Sequence, residues 1–450
     1  MTIRNHPAPS DPHSSPPGQG DKSNGITPMQ RRVLFGSSIG QFIEFYDLAL
    51  YGLSAVVLSQ LFFPTKDPAV GLLALFATYG AAFFIRPLGG LFFGALGDRM
   101  GRRNVLVITL LTIGVSTTGI GLLPGYSSMG VWAPVLLVLL RLTQGFSAGG
   151  ESVGAPSFVF EHAPRSRRGF FINITLSATA LPSVVAAFLL LGLSAAMPNE
   201  SFLAWGWRVP FLLALPLALF GLWIRARTEE SPVFEDMMAE KAARAERSTP
   251  VRDAFRTNMF KMIQVVFIMG LTAMGFYYLT GYFVAYMQTV GGFTRSNALL
   301  LNGISMLVFT VLLAFFGAVS DRVGRRPMMI AGTVALTVVA LPSMLLVTSG
   351  HVGLALTGQL MFVLALTIYG GGCYTFFVEI FDSETRFTSA AFSYNLGYAV
   401  FGGTAPIIGT ALVDATGLAH APGFYVIFLA LIVLVFIFAA RVPETRQRTE

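Results

Sequence analysis

Long apolar runs separated by short polar segments make up most of this 450-residue chain. Windowing for runs long enough to cross a bilayer predicts about twelve spans of roughly 19 to 28 residues. Runs such as 105–123 and 426–440 are continuously apolar and lack the alternation of a barrel strand, so the spans are predicted to be helices. Their predicted limits are 33–58, 69–96, 104–124, 132–160, 168–195, 204–225, 259–287, 296–319, 328–348, 352–380, 388–413 and 422–440.

One polar segment occurs twice. The chain reads FFGALGDRMGRR from Phe92 to Arg103 and FFGAVSDRVGRR from Phe315 to Arg326, with nine of twelve positions identical. The constant offset of 223 residues indicates an internal duplication. Glycines suit tight turns and the charges cannot stay in lipid, so each copy is predicted to be a short cytoplasmic loop between two membrane helices.

The longest polar stretch between spans divides the chain into two sets of six. We predict a disordered cytoplasmic tail over 1–28, an N-terminal six-helix half over 29–225 and a cytoplasmic linker over 226–258. A C-terminal six-helix half over 259–441 and a short cytoplasmic tail over 442–450 follow. The middle of the linker has two interpretations, an amphipathic helix lying on the membrane surface or a solvated connection between halves.

Composition and charge placement support a membrane protein. Hydrophobic residues make up 54% of the chain and charged residues 12%, about half of what a soluble domain carries. The net charge of +7 comes from arginines clustered in short loops rather than from a nucleic-acid surface. These loops fall on one side, whereas the opposite loops hold only Lys66, Arg208 and Arg295, so both termini are predicted to be cytoplasmic.

Several kinds of chemistry find no support in the sequence. The single cysteine, Cys373, excludes an intramolecular disulfide and a cysteine-based metal site. The histidines are scattered, the glycine patterns lack a phosphate-binding lysine, and nothing resembles a catalytic triad. We therefore predict no enzyme activity, no metal and no cofactor.

Ionisable side chains within spans are expensive and are functional candidates. Glu44 and Asp47 lie three residues apart in the first span and share a helical face with Tyr51. Carboxylates this close and poorly hydrated repel, so at least one is expected to take up a proton at physiological pH. We predict proton coupling at Glu44, Asp47 and Glu151; the alternative is permanent neutralisation by an arginine.

The obvious neutralising arginine lies in the fourth span. Arg141, Gln144 and Glu151 form one polar stripe there, while Gly145 and Gly149 thin the helix so that another can approach closely. Arg141 either binds a substrate carboxylate through its planar fork or balances the charge of the acids. We predict substrate contacts for Arg141, Gln144 and Tyr51.

Two further sets of polar side chains are candidate substrate contacts. Tyr278, Tyr282 and Tyr286 are spaced by four in the seventh span and share a face, which suits a quaternary ammonium or an anion. Packing is the alternative for this stripe. Asn395 in the eleventh span needs a hydrogen-bond partner in hydrocarbon and is a candidate for the same reason.

Several motifs now point to one superfamily. GALGDRMGRR resembles the loop between the second and third helices of the major facilitator superfamily, and LRLTQGFSAGG is similar to its fourth-helix signature. SSIGQFIEFYDLALYG, QGFSAGGESVGAP and ETRFTSAAFSYNLGYAVFGGTAPIIG together resemble its metabolite:proton symporter family, over residues 31–445. The resemblance implies an all-α membrane protein of twelve helices in two six-helix halves, with the substrate site between the halves.

The same resemblance implies that the charged loops latch the cytoplasmic face when it is closed. The candidate gate residues are Asp98, Arg99, Arg102, Arg103, Asp321, Arg322, Arg325, Arg326, Glu379 and Arg386.

These patterns predict a proton-coupled symporter that imports a small organic acid by alternating access. The alternative substrate is a zwitterionic osmolyte such as proline or betaine. A proton-coupled exporter is disfavoured because the fifth span reads SATALPSVVAAF and lacks the GPxxGG signature that such exporters usually carry. A receptor on the same scaffold is disfavoured because the charged residues within the membrane spans are kept. We expect a monomer in a bacterial inner membrane, with substrate, protons and lipid as its only partners and no nucleic acid.

Overall fold

The computed structural model describes residues 42, 45–100, 102–149, 159–160, 163–227, 250–382, 385–439 and 444. Within these ranges the secondary structure is helical and contains no strand. Eight helices there are long and apolar enough to cross a membrane, a bent pair makes a ninth, and three shorter apolar helices complete the predicted twelve.

The helices are numbered α1 to α12 in chain order. They are α1 (Phe45–Leu53 and Ala55–Phe62), α2 (Pro68–Met100), α3 (Arg102–Leu122), α4 (Trp132–Ala148), α5 (Arg168–Ala196), α6 (Asn199–Trp223), α7 (Phe255–Thr289), α8 (Arg295–Val323), α9 (Arg325–Val347), α10 (Val352–Glu379), α11 (Thr388–Thr416) and α12 (Pro422–Ala439).

Helices α1–α6 form one half and α7–α12 the other. The halves meet along α5 and α8, along α2 and α11, and along α1 and α7. We call the end of the bundle that holds residues 315–326 the signature end, and the opposite end, which holds residues 199–202 and 289–295, the far end. The first tail, residues 228–249 of the linker and all of the second tail except residue 444 lie outside the described residues.

Small residues let helices of one half approach closely. A Cβ atom built on Gly145 would overlap the carbonyl oxygen of Ala82, and one built on Gly149 would overlap that of Arg86. Both glycines lie where the C-terminal end of α4 packs against α2; the sequence predicted a close approach by another helix here but not which one. This contact brings the polar stripe of α4 next to the centre of the bundle.

Several helices are irregular. Helix α1 bends by 69° at Ser54. Single π-helical turns occur in α6, α7 and α11, at Phe202–Gly206, Tyr278–Tyr282 and Tyr398–Gly402. Such turns often mark functional sites, because they widen the helix and change the direction of side chains.

Candidate functional site

Arg141 is the central residue of the candidate site. Its side chain is completely buried on α4. One terminal nitrogen, Nη1, donates hydrogen bonds to Asp47 Oδ2 at 3.2 Å and to Gln144 Oε1 at 2.9 Å. Arg141 and Asp47 thus form a buried ion pair between α4 and α1, which the sequence predicted as a possible neutralisation.

A short chain of hydrogen bonds orients Gln144. Its Nε2 donates to Thr117 Oγ1 on α3 at 2.7 Å, and the threonine hydroxyl donates in turn to the Ile113 carbonyl at 2.7 Å. The amide oxygen of Gln144 therefore points at Arg141. Sequence reasoning missed Thr117, because nothing along the chain indicates which threonine of α3 faces α4.

Two aromatic rings cover the guanidinium group of Arg141. Its central carbon lies 4.6 Å from the centroid of Tyr51 and 5.0 Å from that of Tyr79. The two rings stack on each other with centroids 5.8 Å apart. Cation–π attraction is stronger when the cation is desolvated, so these rings help to hold the charge away from water. Tyr51 was a predicted site residue, whereas Tyr79 was not.

The other edge of the same guanidinium has no acceptor within the described part of the chain. Arg141 Nε and Nη2 are buried, and neither has a hydrogen-bond partner there. Unmade hydrogen bonds of a buried charged group are costly, so this edge favours a further acceptor. The Nε and Nη2 donors are parallel and match the two oxygens of a carboxylate.

A small cavity flanks Asp47. It is large enough for about one water molecule. Because it lies between α1, α3 and α6, it reaches Asp47 from within the N-terminal half rather than from between the halves. The other residues that line it are Tyr46, Ile113, Gly114, Thr117, Ala214 and Leu217.

The predicted tyrosine stripe is buried in α7. Ring centroids are 4.8 Å apart for Tyr278 and Tyr282 and 5.4 Å apart for Tyr282 and Tyr286. The hydroxyls of Tyr278 and Tyr282 have no hydrogen-bond partner among the described residues, and both lie close to Gly409 of α11. The stripe therefore faces mainly into the C-terminal half, although Tyr282 also packs against Phe76 of α2.

The remaining predicted substrate and proton residues are not brought to Arg141 by any described contact. Asn395 is half-buried, and its Nδ2 donates to the Ala391 carbonyl of its own helix at 2.9 Å. Glu44 and Glu151 lie outside the described residues. Their roles stay predictions.

The second copy of the repeated segment joins the two halves at the signature end. It was predicted to be a loop, but Phe315–Val323 belongs to α8 and only Gly324 separates α8 from α9. Asp321 Oδ1 accepts a hydrogen bond from the Gly169 backbone N–H at 2.7 Å, and Oδ2 accepts one from Phe170 at 2.9 Å. Both donors belong to the first turn of α5, where a helix favours a negative charge. Asn173, one turn along α5, donates to the Gly371 carbonyl of α10 at 3.3 Å.

Arg325 holds the acidic groups of this end together. Its Nη1 lies 2.9 Å from Asp321 Oδ1, and its Nη2 and Nε lie 3.1 and 3.2 Å from the two oxygens of Glu379. Glu444, beyond α12, accepts hydrogen bonds from the backbone N–H groups of Arg325 and Arg326, each at 2.9 Å. Sequence reasoning missed Glu444, which lies within the predicted tail.

The other gate candidates make no described hydrogen bond between the halves. Arg322 is exposed, and Arg386 lies over the Phe160 ring at 4.9 Å and donates to the Phe381 carbonyl at 3.2 Å. The side chains of the gate candidates in the first copy of the repeated segment are outside the described part of the chain; these are Asp98, Arg99, Arg102 and Arg103.

The far end is also closed. Arg295 at the start of α8 donates to Asn199 Oδ1 of α6 at 3.1 Å and lies over the Phe202 ring at 4.4 Å. Nearer the centre, α1 and α7 cross at Gly52 and Gly281. With contacts between halves at both ends, the described chain encloses the Arg141 group in a closed conformation.

Comparisons with known proteins agree with this architecture. The family model for sugar (and other) transporters matches residues 33–449. The proton:xylose symporter XylE bound to 6-bromo-6-deoxy-D-glucose superposes with a TM-score of 0.72 at 18% identity, over 92% of this chain and 96% of that chain. This likeness shows the fold and confirms the predicted twelve-helix major facilitator architecture.

Curated relatives are similar over nearly the whole chain. The glycine betaine/proline/ectoine/pipecolic acid transporter OusA of Dickeya dadantii (strain 3937) is 34% identical over 409 residues, which cover 89% of this chain and 81% of the relative. The proline/betaine transporter of Escherichia coli (strain K12) is 33% identical over 413 residues, 90% of this chain and 82% of the relative. The shikimate transporter of the same strain is 34% identical over 409 residues, which cover 89% of this chain and 92% of the relative.

These relatives are transporters, so the predictions of a transporter and of a protein that is not an enzyme are confirmed. The matched residues include the whole of both helical halves. The chain therefore belongs to the sugar (and other) transporter family of the major facilitator superfamily and is a multi-pass membrane transporter.

Proposed function

We propose that this protein imports a small zwitterionic osmolyte, of the proline or betaine kind, together with protons. The observation that carries the proposal is the buried guanidinium of Arg141, whose Nη1 is bound to Asp47 and Gln144 while Nε and Nη2 have no hydrogen-bond partner among the described residues and could bind a carboxylate. Two relatives, OusA and the proline/betaine transporter, are named for substrates of this class. The osmolyte alternative therefore replaces the organic acid as our preferred substrate.

The buried ion pair couples substrate to proton. While Asp47 is ionised, it neutralises Arg141, and a second carboxylate would bring an extra negative charge into a desolvated site. Protonation of Asp47 leaves the positive charge of Arg141 uncompensated and favours a substrate carboxylate at Nε and Nη2. The cavity beside Asp47 offers a place for the water that carries the proton. Glu44 and Glu151 are assigned to the same proton-coupling group.

Alternating access follows from contacts at both ends. Breaking the Asp321 contacts with α5 opens the signature end, and breaking the Arg295 contact with Asn199 opens the far end. We assign the signature end to the cytoplasm, because the arginine-rich loops lie there. Both termini are then cytoplasmic, and the transporter acts as a monomer in a bacterial inner membrane.

A second candidate is proton-coupled import of a carboxylic acid without a positive charge. The shikimate transporter supports it, because that relative is as similar to this chain as the osmolyte transporters are. The Nε and Nη2 donors of Arg141 would bind either carboxylate. The two candidates therefore differ in what the site does with the other end of the substrate.

Uptake into proteoliposomes tests the proposal. We would supply labelled proline, betaine and shikimate with and without an inward proton gradient, and compare the wild type with Arg141→Lys and Asp47→Asn. Arg141→Lys keeps the charge but loses the fork, so KM for the zwitterions should rise about 10- to 100-fold. Asp47→Asn should abolish gradient-driven accumulation and keep exchange of substrate across the membrane.

The exposed loop variant Lys66→Arg is the control and should behave as the wild type. Accumulation by Asp47→Asn that still collapses with an uncoupler would contradict proton coupling at Asp47. Uptake of shikimate without uptake of either zwitterion would establish the second candidate instead.

A further inference from the structure

Four aromatic rings meet where the halves meet, next to the Arg141 group. Tyr79 and Phe83 belong to α2, Tyr277 belongs to α7 and Tyr398 belongs to α11. Tyr277 lies between the others, with ring centroids 5.9 Å from Tyr79, 5.0 Å from Phe83 and 6.0 Å from Tyr398. All three contacts are edge-on, and Tyr277 is 1% exposed.

We infer that Tyr277 binds the cationic end of the substrate and makes the site selective for zwitterions over simple carboxylates. The inference rests on the proposed function, because it takes Arg141 as the site of the substrate carboxylate. It goes beyond that proposal by assigning the second end of the substrate to the other half of the protein.

Three aromatic rings of the N-terminal half near Arg141 already lie against arginine side chains. Arg141 lies over Tyr51 and Tyr79, and Arg86 lies over Phe83 at 4.5 Å. A substrate ammonium group that approached those rings would meet like charges at close range. The C-terminal half supplies the aromatic surface on which a second cation can be placed.

Distance favours Tyr277 within that half. Tyr79 touches both the guanidinium of Arg141 and the ring of Tyr277, so one ring separates the carboxylate site from the cation site. A carboxylate binds about 2.8 Å from a guanidinium nitrogen, and a cation binds within about 6 Å of a ring centroid. A zwitterion whose charges are separated by one or two carbon atoms spans the remaining gap.

The backbone at Tyr277 also differs from an ordinary helix. The regular part of α7 ends at Tyr277, and the next five residues, Tyr278–Tyr282, form the π-helical turn. Tyr398 begins the corresponding turn of α11. When the halves part at the far end, the ring of Tyr277 leaves Tyr79 and Phe83 and becomes available to a ligand. A bound zwitterion then links Arg141 of one half to Tyr277 of the other and favours closure.

The tyrosine stripe is a weaker assignment for this cation. The rings of Tyr278 and Tyr282 pack at a tilt of 30°, and Tyr278 packs against Phe283 and Phe362 inside the C-terminal half. Tyr282 does contact one ring of the other half, whereas Tyr277 contacts Tyr79, the ring that covers Arg141. The described contacts therefore place Tyr277 nearer the Arg141 group than the stripe.

The test compares betaine with its carbon isostere 3,3-dimethylbutyrate, in which a neutral quaternary carbon replaces the ammonium nitrogen, as competitors of labelled betaine uptake. Both present a carboxylate and a bulky tetrahedral group, and only betaine carries a positive charge on that group. Tyr277→Leu should reduce the preference for betaine by about 10- to 30-fold, through a higher inhibition constant for betaine and little change for the isostere. Tyr277→Phe keeps the aromatic face and should keep the preference.

A matched control separates binding from packing. Phe283→Leu removes an equally buried ring from the same helix, and its described ring partners all lie in the C-terminal half, so it should leave the preference unchanged. Fluorination of phenylalanine at position 277 weakens the negative face at nearly constant size. The preference should therefore fall stepwise with each added fluorine.

The outcomes are distinct for the two proposals. Wild-type protein that takes up no zwitterion would refute the proposed function. Normal betaine uptake with an unchanged preference in Tyr277→Leu and in the fluorinated series would refute the role of Tyr277 and leave the proposed function standing. Equal losses in Phe283→Leu and Tyr277→Leu would assign Tyr277 to packing.

Discussion

Replacing Asp321 by alanine is expected to open the signature end of the protein. In the closed conformation, its carboxylate accepts hydrogen bonds from the backbone N–H groups of Gly169 and Phe170 at 2.7 and 2.9 Å. These contacts link α8 of one half to the first turn of α5 in the other. Arg325 also contacts Asp321, but it keeps its two bonds to Glu379 when the carboxylate is removed.

The expected effect follows from the two bonds between halves. A hydrogen bond to a charged group contributes about 1.5–3 kcal/mol, and water competes when the end opens, so we take the lower value for each. The closed conformation then loses about 3 kcal/mol relative to the open one, which is roughly a 100-fold change in their ratio. Asp321→Asn keeps one neutral acceptor and should give an intermediate change.

Thiol labelling measures this shift directly. Thr375 is completely buried on α10 at the junction with α5, where Asn173 lies 3.3 Å from its hydroxyl. Thr375→Cys, with the native Cys373 changed to Ser, gives one probe that reacts with an impermeant maleimide when the signature end opens. In inside-out vesicles, Asp321→Ala should raise the labelling rate by about 100-fold, unless the probe is already saturated.

An exposed carboxylate provides the control. Asp382 pairs with Lys261 at 3.5 Å on the surface, and such pairs contribute at most about 1 kcal/mol, so Asp382→Ala should change the rate by less than about fivefold. A labelling rate for Asp321→Ala that equals that of Asp382→Ala would refute the assignment of Asp321 as a latch.

Two further substitutions test the far end and the support of Arg141. A Cβ atom on Gly281 would lie 2.6 Å from the Gly52 Cα atom, so Gly281→Ala should hold the far end open and slow transport. The control Gly353→Ala, whose added Cβ atom meets open space, should transport normally. Normal transport by both variants would count against closure at this crossing. Thr117→Val removes the oxygen that accepts a hydrogen bond from the Gln144 amide; the loss of about 1 kcal/mol should raise KM for proline about fivefold. Thr117→Ser keeps the accepting hydroxyl and should keep the wild-type KM. Equal KM values for the two variants would refute the positioning role of Thr117.

The extent of the helices was predictable because it depends on the length of apolar runs. The tenth span was predicted over 352–380 and is found at Val352–Glu379, and the eighth was predicted over 296–319 and is found at Arg295–Val323. The local irregularities were not predicted. The bend at Ser54 and the π-helical turn at Tyr278–Tyr282 depend on how helices from the two halves pack.

The candidate site was partly predictable for a similar reason. An acid in the first span and an arginine in the fourth have few stable alternatives to pairing in hydrocarbon, so the contact of Asp47 with Arg141 follows from their depth and charge. Spacing by four also places Tyr278 and Tyr282 on one face. Spacing does not say what that face meets, because the rotation of a helix about its axis is decided by its neighbours.

The sequence by itself determined the class of this protein, a duplicated chain of twelve membrane helices with charged loops. It also identified a few polar groups that must be paired or hydrogen-bonded because they lie within the hydrocarbon region. These features depend on local composition and on repetition along the chain. The tertiary structure decided which donor of Arg141 meets Asp47 and Gln144, and it placed Tyr79 and Tyr277 at the junction of the halves. Contacts between residues nearly 200 positions apart depend on how two rigid bundles dock, and no pattern within either bundle encodes that geometry.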